Sequence, residues 1–275
     1  MSAVTWVDGE RCESIAADDR GFLFADGAFE TLRWSGVGVY RRDGHLARLT
    51  AGLSALFFEH PVQCAAMAFE QLDDALKNMP TDANGVARIT VTRGSGPRGY
   101  TPPSPARPRI VIVLFVDHVV SAAPAQLIVA QTRWATQPQL AGHKLLSRTE
   151  QVLAAAEARQ AGVVDALMLG QDGSVISTAT GNIFVRNGHT LKTPCLHKAG
   201  ISGTRRAAIV NGLAGLLGLS VHVQDLTLDD VLCADEAFTT NSVLGVRSIA
   251  QLRASTWSSF PVGEQLASII HGDPL

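Results

Sequence analysis

The stretch from Gly94 to Pro105 does most to limit the fold. Gly94, Gly96 and Gly99 are spaced Gly-x-Gly-x-x-Gly directly after a Val- and Ile-containing run at 86–92. In a doubly wound sheet such a turn opens a helix at its third glycine and aims the helix N-terminus at a pyrophosphate. Here Tyr100-Thr101-Pro102-Pro103-Ser104-Pro105 follows, which cannot continue as a helix. The dinucleotide reading fails on this context, and a surface loop remains, either mobile or functional. Arg93 and Arg98, two guanidinium forks beside flexible backbone, suit it to a substrate carboxylate.

The order of periodic segments points to α+β. Residues 4–7, 30–34 and 36–40 read as short strands joined by Gly-containing turns. Residues 45–60 carry Leu46, Leu49, Leu53, Leu56 and Phe57 at spacings of three and four, and 67–79 repeats the habit, so two amphipathic helices follow. Strands at 86–92 and 109–116 then complete a layered first domain, 1–118. A mixed-polarity linker at about 117–124 leads to a second domain, 124–275. There we expect a strand at 126–131, a turn at Gly142-His143-Lys144, a helix at 149–161 and a meander at 165–169, 175–178 and 183–186. Ser202 is placed as the N-cap of a helix running to Leu217, with Gly218 as its left-handed stop.

Composition removes several functions. Apolar residues are 46% and charged residues 17% of the 275, a globular balance. A net charge of −2 with no basic cluster makes nucleic acid an unsuitable partner. No apolar run reaches membrane-spanning length, and the N-terminus does not read as a secretory signal. Cys12, Cys64, Cys195 and Cys233 are scattered, without paired metal-ligand spacings, and no His-x-x-x-His occurs. We therefore expect a cytoplasmic protein with reduced thiols and no metal.

Lys144 alone would be read as a solvated side chain. Its surroundings change that. The run Gly142-His143-Lys144-Leu145-Leu146-Ser147-Arg148-Thr149-Glu150-Gln151-Val152 resembles the Schiff-base lysine segment of class IV pyridoxal-phosphate aminotransferases and of 4-amino-4-deoxychorismate lyases. Arg20-Gly21-Phe22, Asp26-Gly27-Ala28-Phe29-Glu30, His45-Leu46-Ala47-Arg48-Leu49, Thr193-Pro194, Ala199-Gly200-Ile201-Ser202-Gly203 and Glu236-Ala237-Phe238 extend the resemblance over nearly the whole chain. Thr92-Arg93-Gly94-Ser95-Gly96-Pro97-Arg98-Gly99-Tyr100 is similar to the loop typical of the lyases.

The resemblance implies a two-domain fold-type IV enzyme, like a D-amino-acid aminotransferase, with a small α/β N-terminal domain and a larger pseudo-barrel C-terminal domain. It implies pyridoxal 5'-phosphate on Lys144, with Arg48, Ile201, Ser202, Asn241 and Ser242 at its phosphate. Phe29, Arg93, Arg98 and Tyr100 would meet a small substrate bearing a carboxylate and an amine, and the chain would form a homodimer. A helix opening at Ser202 would seat an anion on physical grounds as well.

One position departs from the family. Where a glutamate pairs with the protonated pyridine nitrogen, alignment through Gly181-Asn182-Ile183-Phe184 puts Ser177, which can only hydrogen-bond it. A largely neutral ring favours elimination over transamination. The implied reaction is pyruvate release from aminodeoxychorismate. The alternatives are a class IV aminotransferase for D- or branched-chain amino acids, and a degenerate member without transaminase activity.

Overall fold

The structure, a computed structural model, describes residues 2–36, 38–116 and 123–271. These fall into two compact units. The first holds the described residues up to 116 together with His143–Ser147, and the second holds 123–142 and 148–271. Of the linker expected at 117–124, residues 117–122 lie outside the described residues.

The first unit runs β1 (Ser2–Val7), β2 (Glu10–Arg11), α1 (Arg20–Phe24), β3 (Gly27–Ser35), β4 (Gly38–Val39), α2 (Arg42–Ala55), α3 (Pro61–Lys77), β5 (Asn84–Thr92) and β6 (Arg109–Val116). The strands form an antiparallel sheet in the order β2-β1-β6-β5-β3-β4. Alternation along β3 and β5 sends Leu32, Trp34, Ala87, Ile89 and Val91 into a core shared with Leu49 and Leu53 of α2 and Phe69 and Leu72 of α3. Helix α2 stops earlier than expected because Phe57 turns into the left-handed region, φ 57°. Helix α3 starts earlier because Pro61 is suited to a first helical turn.

The lysine segment, which chain order assigns to the second domain, pairs with the first unit. The Phe29 N–H donates to the Lys144 carbonyl and the Leu146 N–H to the Gly27 carbonyl, both at 3.0 Å. Leu145 enters the core beside Ala28. Gly27 has to be glycine, because a Cβ there would collide with the Val91 carbonyl.

The second unit contains β7 (Ala125–Val129), α4 (Thr149–Gln160), β8 (Asp165–Leu169), β9 (Val175–Thr178), β10 (Asn182–Asn187), β11 (Thr190–Pro194), α5 (Thr204–Ala208), α6 (Ala214–Leu216), β12 (Ser220–Gln224), α7 (Leu228–Leu232), β13 (Glu236–Asn241), β14 (Gly245–Leu252), β15 (Ser255–Thr256) and α8 (Pro261–His271). Its mixed sheet has the order β12-β11-β10-β13-β14-β7-β8-β9, with β15 on β14. The Val175 N–H donates to the Leu226 carbonyl at 2.8 Å, joining the last strand of that order to the residues after the first. The sheet thus curls around Leu167, Val175, Ile183, Val185, Leu226 and Ile249.

Ser202 does not cap a helix. The Ser202 N–H donates to the Gly142 carbonyl at 2.9 Å, which keeps the chain extended there, and Gly203 is the backbone cap of α5. The expected helix is otherwise present: the chain is helical from Thr204 to Leu216, with a π-helical turn, Ile209–Leu213, between α5 and α6 at Asn211-Gly212, both weak helix formers. Gly218 takes the left-handed stop as expected, φ 69°.

Candidate active site

In β3, Ala28, Glu30 and Leu32 point to the helices, so Phe29 and Thr31 occupy the opposite face of the sheet. The Lys144 segment alternates in the same way: Leu145 is in the core, and Lys144 Nζ stands 4.2 Å from the centroid of the Phe29 ring. The Arg88 Cζ lies 4.0 Å from the same centroid. Two cations thus share one aromatic ring. Burial lowers the Arg88 pKa, and it lowers that of His143, beside the lysine, so this imidazole is neutral at pH 7. Arg88 was not a sequence candidate; its signal was the alternation that turns it away from core neighbours Ala87 and Ile89.

Arg48, expected at the cofactor phosphate, is engaged by Glu30. Its Nε donates to Oε1 at 2.8 Å and its Nη2 to Oε2, and the His45 Nδ1 is 2.6 Å from Oε2. Burial opposes the Glu30 charge, but Arg48 and His45 override it and hold the carboxyl at about 2. Arg48 is thereby fixed in direction. Glu30 itself is not visible as a partner in local sequence, being 18 residues away.

The glycine-rich loop is held from below by Arg20. Its Nη1 and Nη2 donate to the carbonyls of Gly99 and Tyr100 at 2.9 and 2.7 Å, and its Nε to Asp26 Oδ2 at 2.8 Å. Gly94 and Gly99 adopt positive φ, and a Cβ on Gly94 would collide with the Arg107 carbonyl. Gly94 and Gly99 thus serve turn geometry, while Gly96 leaves room for Arg20 and Pro103, which a Cβ would approach to 3.1 and 3.3 Å.

Arg93 requires a correction. It is only 3% exposed; its Nε donates to Asp26 Oδ2 at 2.8 Å and its other two nitrogens to the carbonyls of Leu56 and Phe57. Three of its five N–H donors are used within the unit, which makes it a strut between Asp26 and the end of α2. Arg98 is exposed, and Tyr100 is 85% exposed with its ring edge-on to Phe24 at 5.4 Å.

In the second unit, Ser177 is buried in β9, and its Oγ donates to the Thr178 carbonyl at 2.7 Å. The Ile201 carbonyl accepts from Asn182 Nδ2 at 2.8 Å. Ser202 is exposed, with its N–H committed to Gly142. Asn241 Oδ1 accepts from the Val243 and Leu244 N–H groups, so that oxygen shapes a turn. Ser242 Oγ is 3.2 Å from Thr204 Oγ1, at the first residue of α5.

The buried Thr240 Oγ1, two residues from Ser242, has no hydrogen-bond partner among the described residues. The paired Thr204 and Ser242 hydroxyls at the start of α5, with the orphaned Thr240 hydroxyl two residues along the chain, make a donor set suited to a phosphate dianion. The residues present therefore fit the phosphorylated cofactor implied by the resemblance. Thr204 and Thr240 escaped sequence reading because threonine is an ordinary helix-start and strand residue.

A sequence model of the family described as amino-transferase class IV matches residues 27–252. Aminodeoxychorismate lyase of Vibrio harveyi is 33% identical over 264 residues, 94% of this chain and 95% of that protein. A putative branched-chain-amino-acid aminotransferase of Methanocaldococcus jannaschii is 29% identical over 93% of this chain and 88% of its own length. The crystal structure of 4-amino-4-deoxychorismate lyase from Pseudomonas aeruginosa matches with a TM-score of 0.87 and 33% identity, covering 98% of each chain.

Proposed function

We propose, because the chain belongs to the amino-transferase class IV family, that it is a pyridoxal 5'-phosphate-dependent lyase splitting 4-amino-4-deoxychorismate into 4-aminobenzoate and pyruvate, a step of folate biosynthesis. Its fold is that of the fold-type IV enzymes. The observation that carries the reading is the Lys144 amine presented over Phe29. When bound, the cofactor supplies a carbonyl carbon for amines and a conjugated ring that withdraws electrons.

Lys144 would hold that carbonyl carbon until the substrate amine takes its place, and the Nζ so freed would take the proton from the substrate ring carbon that bears the amine and return it to the methylene carbon of the departing enolpyruvate. The ring C–O bond breaks with its electron pair leaving on oxygen, so 4-aminobenzoate and pyruvate account for every atom of the substrate. The residues that would hold the phosphate are Arg48, aimed by Glu30, and the Ile201 N–H, Ser202, Asn241, Ser242 and Thr204. Arg98 and Tyr100 address the substrate carboxylate, with Phe29 beside the amine. Ser177 would stand at the pyridine nitrogen in place of the family's glutamate, and a hydroxyl does not keep that nitrogen protonated.

We further read the enzyme as a cytoplasmic homodimer. Four unpaired cysteines support the compartment, and among the described residues no helix is long and apolar enough to cross a membrane. Exposed Phe22, Leu23, Phe24 and Tyr100 support a protein partner on the first unit.

Likeness to the Methanocaldococcus protein favours aminotransferase as the second reading. The test is incubation of the purified, cofactor-loaded protein with aminodeoxychorismate, or with an amino acid and a 2-oxo acid. We expect pyruvate and 4-aminobenzoate in equal amounts. Sustained amino transfer without pyruvate release would select the second reading, and neither activity a degenerate member.

A further inference from the structure

Cys195, His197 and Asp225 meet where two parallel strands end. Pro194 of β11 lies opposite Gln224 of β12, and the Cys195 N–H extends the ladder by donating to the Gln224 carbonyl at 3.1 Å. The residues leaving the two strands, Cys195 and Asp225, therefore emerge side by side, with His197 two positions further on. One ligand atom from each of the three lies within 4.8 Å of the other two. Cys195 is half-buried and the other two are exposed.

A thiol, an imidazole and a carboxylate form a mixed donor set. Calcium and magnesium take oxygen, whereas sulfur with nitrogen suits a borderline-soft cation in tetrahedral geometry. We propose that Cys195, His197 and Asp225 form a three-ligand site for a divalent cation of the Zn²⁺ class, completed by solvent. Spacing along the chain hides it, because Asp225 arrives through strand pairing from 30 residues away.

The neighbouring charges are compatible with this occupant. Lys198 Nζ sits 2.9 Å from Asp172 Oδ2 but 3.6 Å from Asp225 Oδ2, so it keeps a closer partner when a cation takes Asp225. Arg206 donates to Thr193 Oγ1 and the Pro194 carbonyl, so its guanidinium is held by the end of β11. Binding releases the thiol proton to solvent. The ion would clip the turn after β11, whose Lys198 carbonyl accepts from the Gln137 N–H at 3.0 Å.

The site is independent of the proposed lyase chemistry, and so is its test. The full-length, cofactor-loaded protein is dialysed against Zn²⁺ with metal quantified, and separately titrated with Co²⁺ while following visible d–d absorption at wavelengths above the cofactor band. We expect one ion per chain and a tetrahedral cobalt spectrum. Cys195→Ser and the exposed His197→Ala should each weaken Zn²⁺ at least about tenfold, while Cys233→Ser leaves it unchanged. If Cys195→Ser fails to fold, His197→Ala decides alone. No stoichiometric binding, or a cobalt spectrum that survives the Cys195 or His197 substitution, overturns the site.

Discussion

Arg48 clasps both carboxylate oxygens of Glu30, Nε on Oε1 and Nη2 on Oε2, where no part of Glu30 reaches solvent. Removing one partner of such a pair leaves a buried charge without compensation, which costs about 3–5 kcal/mol. Glu30→Gln should lose stability of that order in urea unfolding and bind the cofactor more weakly, because Arg48 is no longer aimed. Wild-type cofactor affinity in a destabilised variant would mean that Arg48 needs no aiming.

The same pair sets a pH dependence. Glu30 titrates at about 2 in the folded chain against an ordinary 4.5, so the stability it lends is complete above the ordinary value and drains as pH falls towards 2. The difference in unfolding free energy between wild type and Glu30→Gln should be constant above about pH 5 and shrink steadily below it. A gap that stays level down to the acid limit would place the origin of Glu30's contribution elsewhere than in its charge.

Arg93 and Arg98 separate stability from recognition. Arg93 and Arg20 both place Nε 2.8 Å from Asp26 Oδ2, so Arg93→Met strips a largely shielded carboxylate of half its compensation. A loss of about 3 kcal/mol or more is expected in thermal or urea unfolding. Arg98→Met, on an exposed side chain, should change stability by less than about 0.5 kcal/mol but raise KM about tenfold or more, the scale of one charge-assisted hydrogen bond. Unchanged KM in the Arg98 variant would remove it from the substrate's carboxylate.

What was legible in the sequence follows the range over which its causes act. β6, β8 and β9 have the expected limits because short apolar runs bounded by turns depend on neighbours alone. Lys144 was legible through the segment around it. Its place on β3, the reach of Asp26 to Arg93, and the Thr204–Ser242 hydroxyl pair all depend on pairings across 38 to 115 residues, which no local period records. Ser202 looked like a cap because capping chemistry is local, and a backbone bond to Gly142, 60 residues earlier, overrode it.

Gly203 carries the start of α5, and a Cβ there would collide with Asn182 Oδ1. Asn182 holds the Ile201 carbonyl through Nδ2, so Gly203→Ala should displace both Ile201 and the Thr204 hydroxyl. Cofactor affinity is expected to fall about tenfold, equivalent to about 1.4 kcal/mol. Gly212→Ala, where an added methyl meets nothing within 4 Å, is the control and should bind normally. Equal affinities in the two variants, measured by fluorescence titration, would detach this turn from the phosphate.

Ser177 is the position at which reaction type can be tested. Its hydroxyl is buried and donates to the Thr178 carbonyl, from which it would have to turn to hydrogen-bond a neutral ring nitrogen. Ser177→Glu installs a carboxylate that costs several kcal/mol when buried alone and is recovered if a protonated pyridine pairs with it. The variant should therefore be less stable than wild type without cofactor and gain more in Tm on adding it. With its ring protonated it should also form the pyridoxamine spectrum from D-alanine at least about tenfold faster, since the cofactor becomes a stronger electron sink. A variant that gains no extra Tm from the cofactor and no faster amino transfer would show that Ser177 lies away from the nitrogen, and the preference for elimination would then need another cause.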